Sequence, residues 1–118
     1  MLFTTPHTTP ACQAFVLYVK LAFRSASEAR ELLDAWRDAA DYCVEHEPFL
    51  FAYEVAQSDK DPLEYAIIER YRSKADYTGA HRSSPAFRAF RPRMRAMQES
   101  GAVRVSGSSF DELGVGFT

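Results

Sequence analysis

FLFAYEVAQSDKDPLEYAIIERY, residues 49–71, decides the fold. Apolar and polar residues alternate along Phe49–Ala56 and again along Leu63–Tyr71, the period of a strand with one buried face. Between them, Ser58-Asp-Lys-Asp-Pro62 is turn chemistry, so the two runs pair as an antiparallel hairpin. Upstream, Ser25 with Glu28 three residues later forms a capping box, and Ala29, Leu32, Leu33, Trp36, Ala40 and Cys43 recur at helical spacing. Pro48 requires that helix to end before it. Further upstream, Ala14–Phe23 is rich in β-branched and aromatic residues, with Phe15, Leu17, Val19, Leu21 and Phe23 on one face. Downstream, a short helix is predicted over Ser73–His81, and Ser84-Pro85 opens another carrying Phe87, Phe90, Met94 and Met97 at core spacing. Pro92 is expected to kink or tighten that helix, Gly101 to close it, and Ala102–Phe110 to form a last strand.

The order is β-α-β-β-α-β, a ferredoxin-like α+β fold with an antiparallel sheet. Both helices lie on one sheet face and leave the other bare. A bare apolar sheet face of this size is covered when two copies meet face to face, so a homodimeric α+β barrel is expected. At 118 residues the chain is one domain, drawn here over residues 14–110. Residues 1–13, rich in Thr and Pro, read as a flexible arm, and residues 111–118 as a C-terminal tail.

Composition narrows the functional classes. The formal net charge is −2, so no global field favours nucleic acid or an anionic membrane. Nine of the fourteen basic residues lie between Arg70 and Arg104, mixed into an apolar helical pattern without the aromatic platform that single strands stack on. Cys12 and Cys43 form no metal or redox motif, and the three histidines have no metal-ligand spacing. No signal peptide and no membrane-length apolar run is evident, which is the profile of a cytoplasmic protein with reduced thiols. Nine Phe, six Tyr and one Trp are a mild aromatic excess that can line a site for flat apolar ligands.

The segment YAIIERYRSKADYTGAHRSSPAF, residues 65–87, closely resembles the signature stretch of the antibiotic biosynthesis monooxygenase family. The shared pattern is a strand ending in Glu-x-aromatic, a short helix ending in Ala-His, then Ser-Pro-x-Phe opening the next helix. Glu47-Pro48 entering a strand that reaches Tyr53-Glu54 is similar to the family's second-strand region. The resemblance covers about Ala14 to Phe110 and implies the dimeric barrel again. It also implies chemistry on small molecules: oxidation of quinols or polyketide anthrones by dioxygen without metal or flavin, in secondary metabolism, with haem degradation, isomerisation and polyketide cyclisation among relatives. Haem-degrading members need a strand-one Asn, a pocket Trp and an axial His. Strand one here has no Asn, and the other two positions hold His81 and Arg91.

The expected activity is therefore a cofactor-independent monooxygenase acting on a phenolic, quinol or polyketide-derived aromatic. A polyketide cyclase or isomerase and a non-catalytic small-molecule binding or stress protein are the alternatives. His81 is the expected catalytic acid–base group, since an imidazole can take and return a phenolic or enolic proton near neutrality. The other use of such a residue is to pack the junction between two helices. Tyr53, Tyr65 and Tyr71 are candidates to hydrogen-bond a flat oxygenated substrate, and Trp36, Phe87, Phe90 and Met94 to wall the pocket. Glu69 alternates in phase with Ile67 and Tyr71, which puts a carboxylate among apolar neighbours. It is either a base or positioning group for substrate, or half of an internal salt bridge with an arginine.

Overall fold

The computed structural model describes residues 13–118. Most of the arm, together with His7 and Cys12, lies outside the described residues. The elements run β1 (Phe15–Phe23), α1 (Ala26–His46), β2 (Leu50–Gln57), β3 (Glu64–Tyr71), α2 (Lys74–Asp76), a π-helical turn (Tyr77–His81), α3 (Pro85–Glu99) and β4 (Val103–Asp111). The strands form one sheet in the order β2-β3-β1-β4, every neighbouring pair antiparallel. This is the predicted ferredoxin-like topology.

Local chemistry explains the boundaries. The Ser25 hydroxyl accepts from the Glu28 amide and donates to the Glu28 carboxylate at 2.8 Å, completing the capping box of α1. Ser73 and Ser84 cap α2 and α3 through their hydroxyls. At the end of α3, Gly101 takes φ +83° and the Ala102 amide donates back to the Met97 carbonyl at 2.8 Å, a left-handed cap that a side chain resists. Pro92 does not interrupt α3, which is continuous from Pro85 to Glu99.

Register sorts the sheet into two faces. Phe15, Leu17, Val19, Leu21 and Phe23 of β1 share the helix-facing side with Tyr65, Ile67, Glu69 and Tyr71 of β3. Leu21, Phe23, Ile67 and Val103 pack there against Ala29, Leu32 and Trp36 of α1 and Phe90 and Met97 of α3. Among the described residues, no helix lies on the opposite face. It mixes Tyr18, 41% exposed, and Phe110, 56% exposed, with Lys20 and Arg70, so it is less apolar than the alternation suggested.

Two boundaries differ from expectation. The wide turn Tyr77–His81 replaces the second half of the predicted short helix, and the Arg82 amide reaches back five residues to the Tyr77 carbonyl at 3.2 Å. The last strand runs through Asp111, past the predicted domain end at residue 110. Glu112 then bonds Ala14, the residue ahead of β1, in both directions: its amide donates to the Ala14 carbonyl at 3.0 Å, while its side-chain carboxylate accepts from the Ala14 amide. Both oxygens of that carboxylate pair with Arg70, so the start of the expected tail belongs to the sheet.

Candidate active site

At the β3 end distant from its hairpin, the space between sheet and helices is not filled by hydrocarbon. A cavity of about 220 Å³ opens there, walled by Leu17 and Val19 of β1, Trp36 of α1, Tyr53 of β2, Glu69 of β3 and Gly107 of β4. The turn and α3 close it with Tyr77, His81, Phe87, Phe90, Arg91 and Met94.

His81 is 2% exposed, and its position follows from the π turn, which ends on it and directs its ring inward. Nδ1 lies 2.6 Å from Oε1 of Glu47, the residue that caps the C-terminus of α1 and is itself 4% exposed. With Glu47 as a carboxylate, Nδ1 carries the proton and donates it. Nε2 then holds the lone pair, free to accept a proton from a molecule in the cavity. A carboxylate that orients an imidazole and fixes its tautomer is the arrangement by which a histidine becomes a general base. Aromatic rings hold the imidazole on four sides: Tyr53 at 5.7 Å, Tyr71 at 5.3 Å, Tyr77 at 6.1 Å and Phe87 at 5.5 Å between centroids.

Among the described residues, two buried side-chain atoms lack a hydrogen-bond partner, Glu47 Oε2 and Trp36 Nε1. Both belong to this site, where unsatisfied polar groups concentrate in functional proteins. Cys43 lies one helical turn before Glu47, and the thiol, carboxylate and imidazole come within 4.8 Å of one another. The sequence reading anticipated no such cluster. Two ligands of one tetrahedral zinc stand roughly 3.3 Å apart given metal–ligand bonds of about 2.0–2.1 Å. The 2.6 Å His81–Glu47 contact is instead a hydrogen-bond length. Burial, followed by the neighbouring Glu47, pushes the Cys43 thiol up to about 12, so it is protonated and unreactive at neutral pH.

Glu69 is 7% exposed and accepts one hydrogen bond, from the Tyr71 hydroxyl at 2.6 Å. Among the described residues no arginine pairs with it. Arg70, one residue on, projects from the opposite face toward Glu112. Burial first, and Glu47 after it, raise the Glu69 carboxyl to about 7 against the opposing effect of the Tyr71 bond. Tyr53 packs on Trp36 with ring centroids 4.9 Å apart, and burial together with Glu69 raises its phenol well above the ordinary range.

Seven of the nine predicted residues therefore meet at one cavity: Trp36, Tyr53, Glu69, His81, Phe87, Phe90 and Met94. Tyr71 stands behind Glu69, fully buried, and does not line the cavity. Tyr65 lies apart from this cavity. It pairs with Leu21, two residue rows from Glu69, packs edge-on against Phe23 at 5.6 Å and accepts a hydrogen bond from Gln57. Glu47, Tyr77 and Arg91 were not anticipated as site residues. His81 is also more deeply embedded than a junction residue with little part in folding would be.

A family model described as antibiotic biosynthesis monooxygenase matches residues 10–93. A candidate antibiotic biosynthesis monooxygenase from Nitrosomonas europaea superposes with a TM-score of 0.69 at 18% identity, covering 84% of this chain and 98% of that one. One from Caulobacter crescentus gives 0.65 at 20% identity, covering 86% and 92%. One from Deinococcus radiodurans gives 0.66 at 16% identity, covering 87% and 96%. At these identities the likeness to solved structures establishes the fold. No curated protein matches the sequence.

Proposed function

The chain belongs to the antibiotic biosynthesis monooxygenase family, and from that premise we propose that it oxidises a compact phenolic, quinol or polyketide-derived ring with dioxygen, using His81 as the base. The observation that carries this reading is the buried His81–Glu47 hydrogen bond at the wall of an aromatic-lined cavity. Nε2 removes the acidic proton of the substrate, leaving an electron-rich anion on the ring. That anion gives one electron to dioxygen, and the radical pair combines to a peroxide anion. Return of the proton from His81 and loss of water convert a ring methylene to a carbonyl, so that R₂CH₂ + O₂ yields R₂C=O + H₂O. The protein supplies deprotonation, orientation and exclusion of water, which direct electron transfer to dioxygen requires.

A cavity near 220 Å³ lies below the usual range for drug-sized ligands and favours a small ring system. The helix-free sheet face supports a homodimer in which a second copy covers Tyr18 and Phe110. The test is oxygen uptake with an anthrone or a hydroquinone. Wild-type protein consumes oxygen, and His81→Gln lowers the rate by about a hundredfold or more, the usual size of a general acid–base contribution. No enzyme-dependent uptake, or uptake unchanged by the substitution, overturns the reading.

A further inference from the structure

Glu69 presents a chemical problem that the base mechanism leaves unused. It lies in the row Tyr53–Glu69–Leu17 across three strands, facing the helices. No cation pairs with it among the described residues, and its one hydrogen bond occupies Oε1. The other oxygen is not among the occluded atoms lacking partners, which leaves it at the cavity wall that Glu69 lines. Each element packed around it contributes identifiable groups. β2 brings Tyr53, the C-terminal end of α1 brings Cys43 and Glu47, and the π turn brings Tyr77 and His81. From α3 comes Arg91, among the described residues the one Arg or Lys lining the cavity, while β1 and β4 present only apolar groups there. An unpaired carboxylate in such surroundings is disfavoured, so the proton is held until pH rises through about 7.

We infer that Glu69 is a second catalytic group of this cavity: as the neutral acid, with Tyr71 donating to Oε1, it donates from Oε2 to the carbonyl oxygen of a ketone whose C–H proton His81 removes. This rests on His81 as the base. The C–H bond breaks, the proton goes to Nε2, and the electron pair moves through the ring onto the carbonyl oxygen. That oxyanion is held by the Glu69 hydrogen bond or takes its proton outright, leaving an enol and a Glu69 carboxylate. Nothing is oxidised in this step. A buried neutral carboxylic acid that donates to an oxyanion gains strength from exclusion of water. The substrate class follows: a cyclic carbonyl compound bound as its keto tautomer. Tyr71 is a positioning residue, acting through Glu69.

The probe is 2,4-dinitrophenolate, a ring oxyanion that stays ionised over the range tested, titrated between about pH 5.5 and 8.5. Wild-type affinity is level at low pH and falls as pH rises through about 7, approaching tenfold per unit, because ionised Glu69 repels the anion. Glu69→Gln, whose amide still donates, binds within a few-fold of the low-pH wild type and shows no such fall. Tyr71→Phe moves the midpoint upward, since the lost hydrogen bond was stabilising the carboxylate. Flat wild-type affinity, no binding at millimolar probe, or an unchanged fall in Glu69→Gln overturns the inference. If that occurs while His81→Gln still abolishes oxygen uptake, the base survives and only Glu69 is displaced. If the Glu69 limb is present without any oxygen uptake, the acid stands and the oxygenase reading falls.

Discussion

Between the sheet and its helices the two ends of one interlayer are built differently. At the Leu21 end, Leu21, Phe23, Leu32, Ala102 and Val103 are 1–5% exposed and meet only hydrocarbon and ring edges. At the Tyr71 end of the same interlayer, Glu69 and Tyr71 of β3, Glu47 at the end of α1 and His81 at the end of the π turn are 0–7% exposed and hydrogen-bond in two pairs. Equal burial thus has opposite meanings. Apolar burial stabilises the first end by roughly 25 cal/mol per Å² removed from water. Burial of four hydrogen-bonding groups at the second costs stability unless each is paired, and it prepares proton chemistry. The fold is held at one end so that the other can be polar.

The largest effect expected is at the polar end. His81→Leu leaves Glu47 buried without its partner and should destabilise the protein by about 3–5 kcal/mol in urea unfolding. Adding Glu47→Leu should restore part of that loss, since the orphaned carboxylate is gone. If the double variant is as unstable as the two single losses summed, the pair is not the unit described here.

Leu32→Ala probes the other end and should cost about 2–5 kcal/mol by leaving a cavity. Dinitrophenolate affinity of the folded fraction should not change. A matching loss of affinity would mean that the two ends are coupled.

Glu69 sharpens the contrast through pH. Its carboxyl is raised from an ordinary 4.5 to about 7 in the folded chain. The folded state holds the extra proton between those values. The contribution is therefore fully present below about pH 4.5 and is lost as pH rises through about 7, about 3 kcal/mol in all. Unfolding of Glu69→Gln, followed across this window, should lack that decline; an identical profile removes Glu69 as its source. The smallest effect belongs to Tyr65→Phe, expected to shift stability by less than about 1 kcal/mol and to leave probe binding unaltered. A clear loss of binding would return Tyr65 to the site.

The strand order, the caps and the helical core positions were legible because each rests on local chemistry: Ser25 with Glu28, Ser84 with Pro85, and the alternation of 49–71. Most of the cavity was legible for the same reason, since Phe87, Phe90 and Met94 share one helical face with the core and His81 closes the family-like stretch. Glu47 was not. It lies 34 residues from His81, and no periodicity links a helix end to a distant turn. Tyr65 falls outside the cavity because alternation reports which face a residue takes and not how far along it lies. Four residues on a strand span about 13 Å, enough to leave the cavity. The same rule turns Arg70 away from Glu69, since adjacent residues on a strand face opposite sides.

The π turn from Tyr77 to His81 makes the site unusually sensitive to chain length. A turn that closes over five residues instead of four holds one more residue than a regular helix needs. Gly79 sits where even an added Cβ would meet nothing within 4 Å, and its deletion would draw the turn toward a regular four-residue repeat. Each residue of a regular helix advances about 100° around the axis, so the imidazole rotates by that amount away from Glu47 and the cavity. With the ring turned away the base is lost, while every residue type in the site is still present in the sequence.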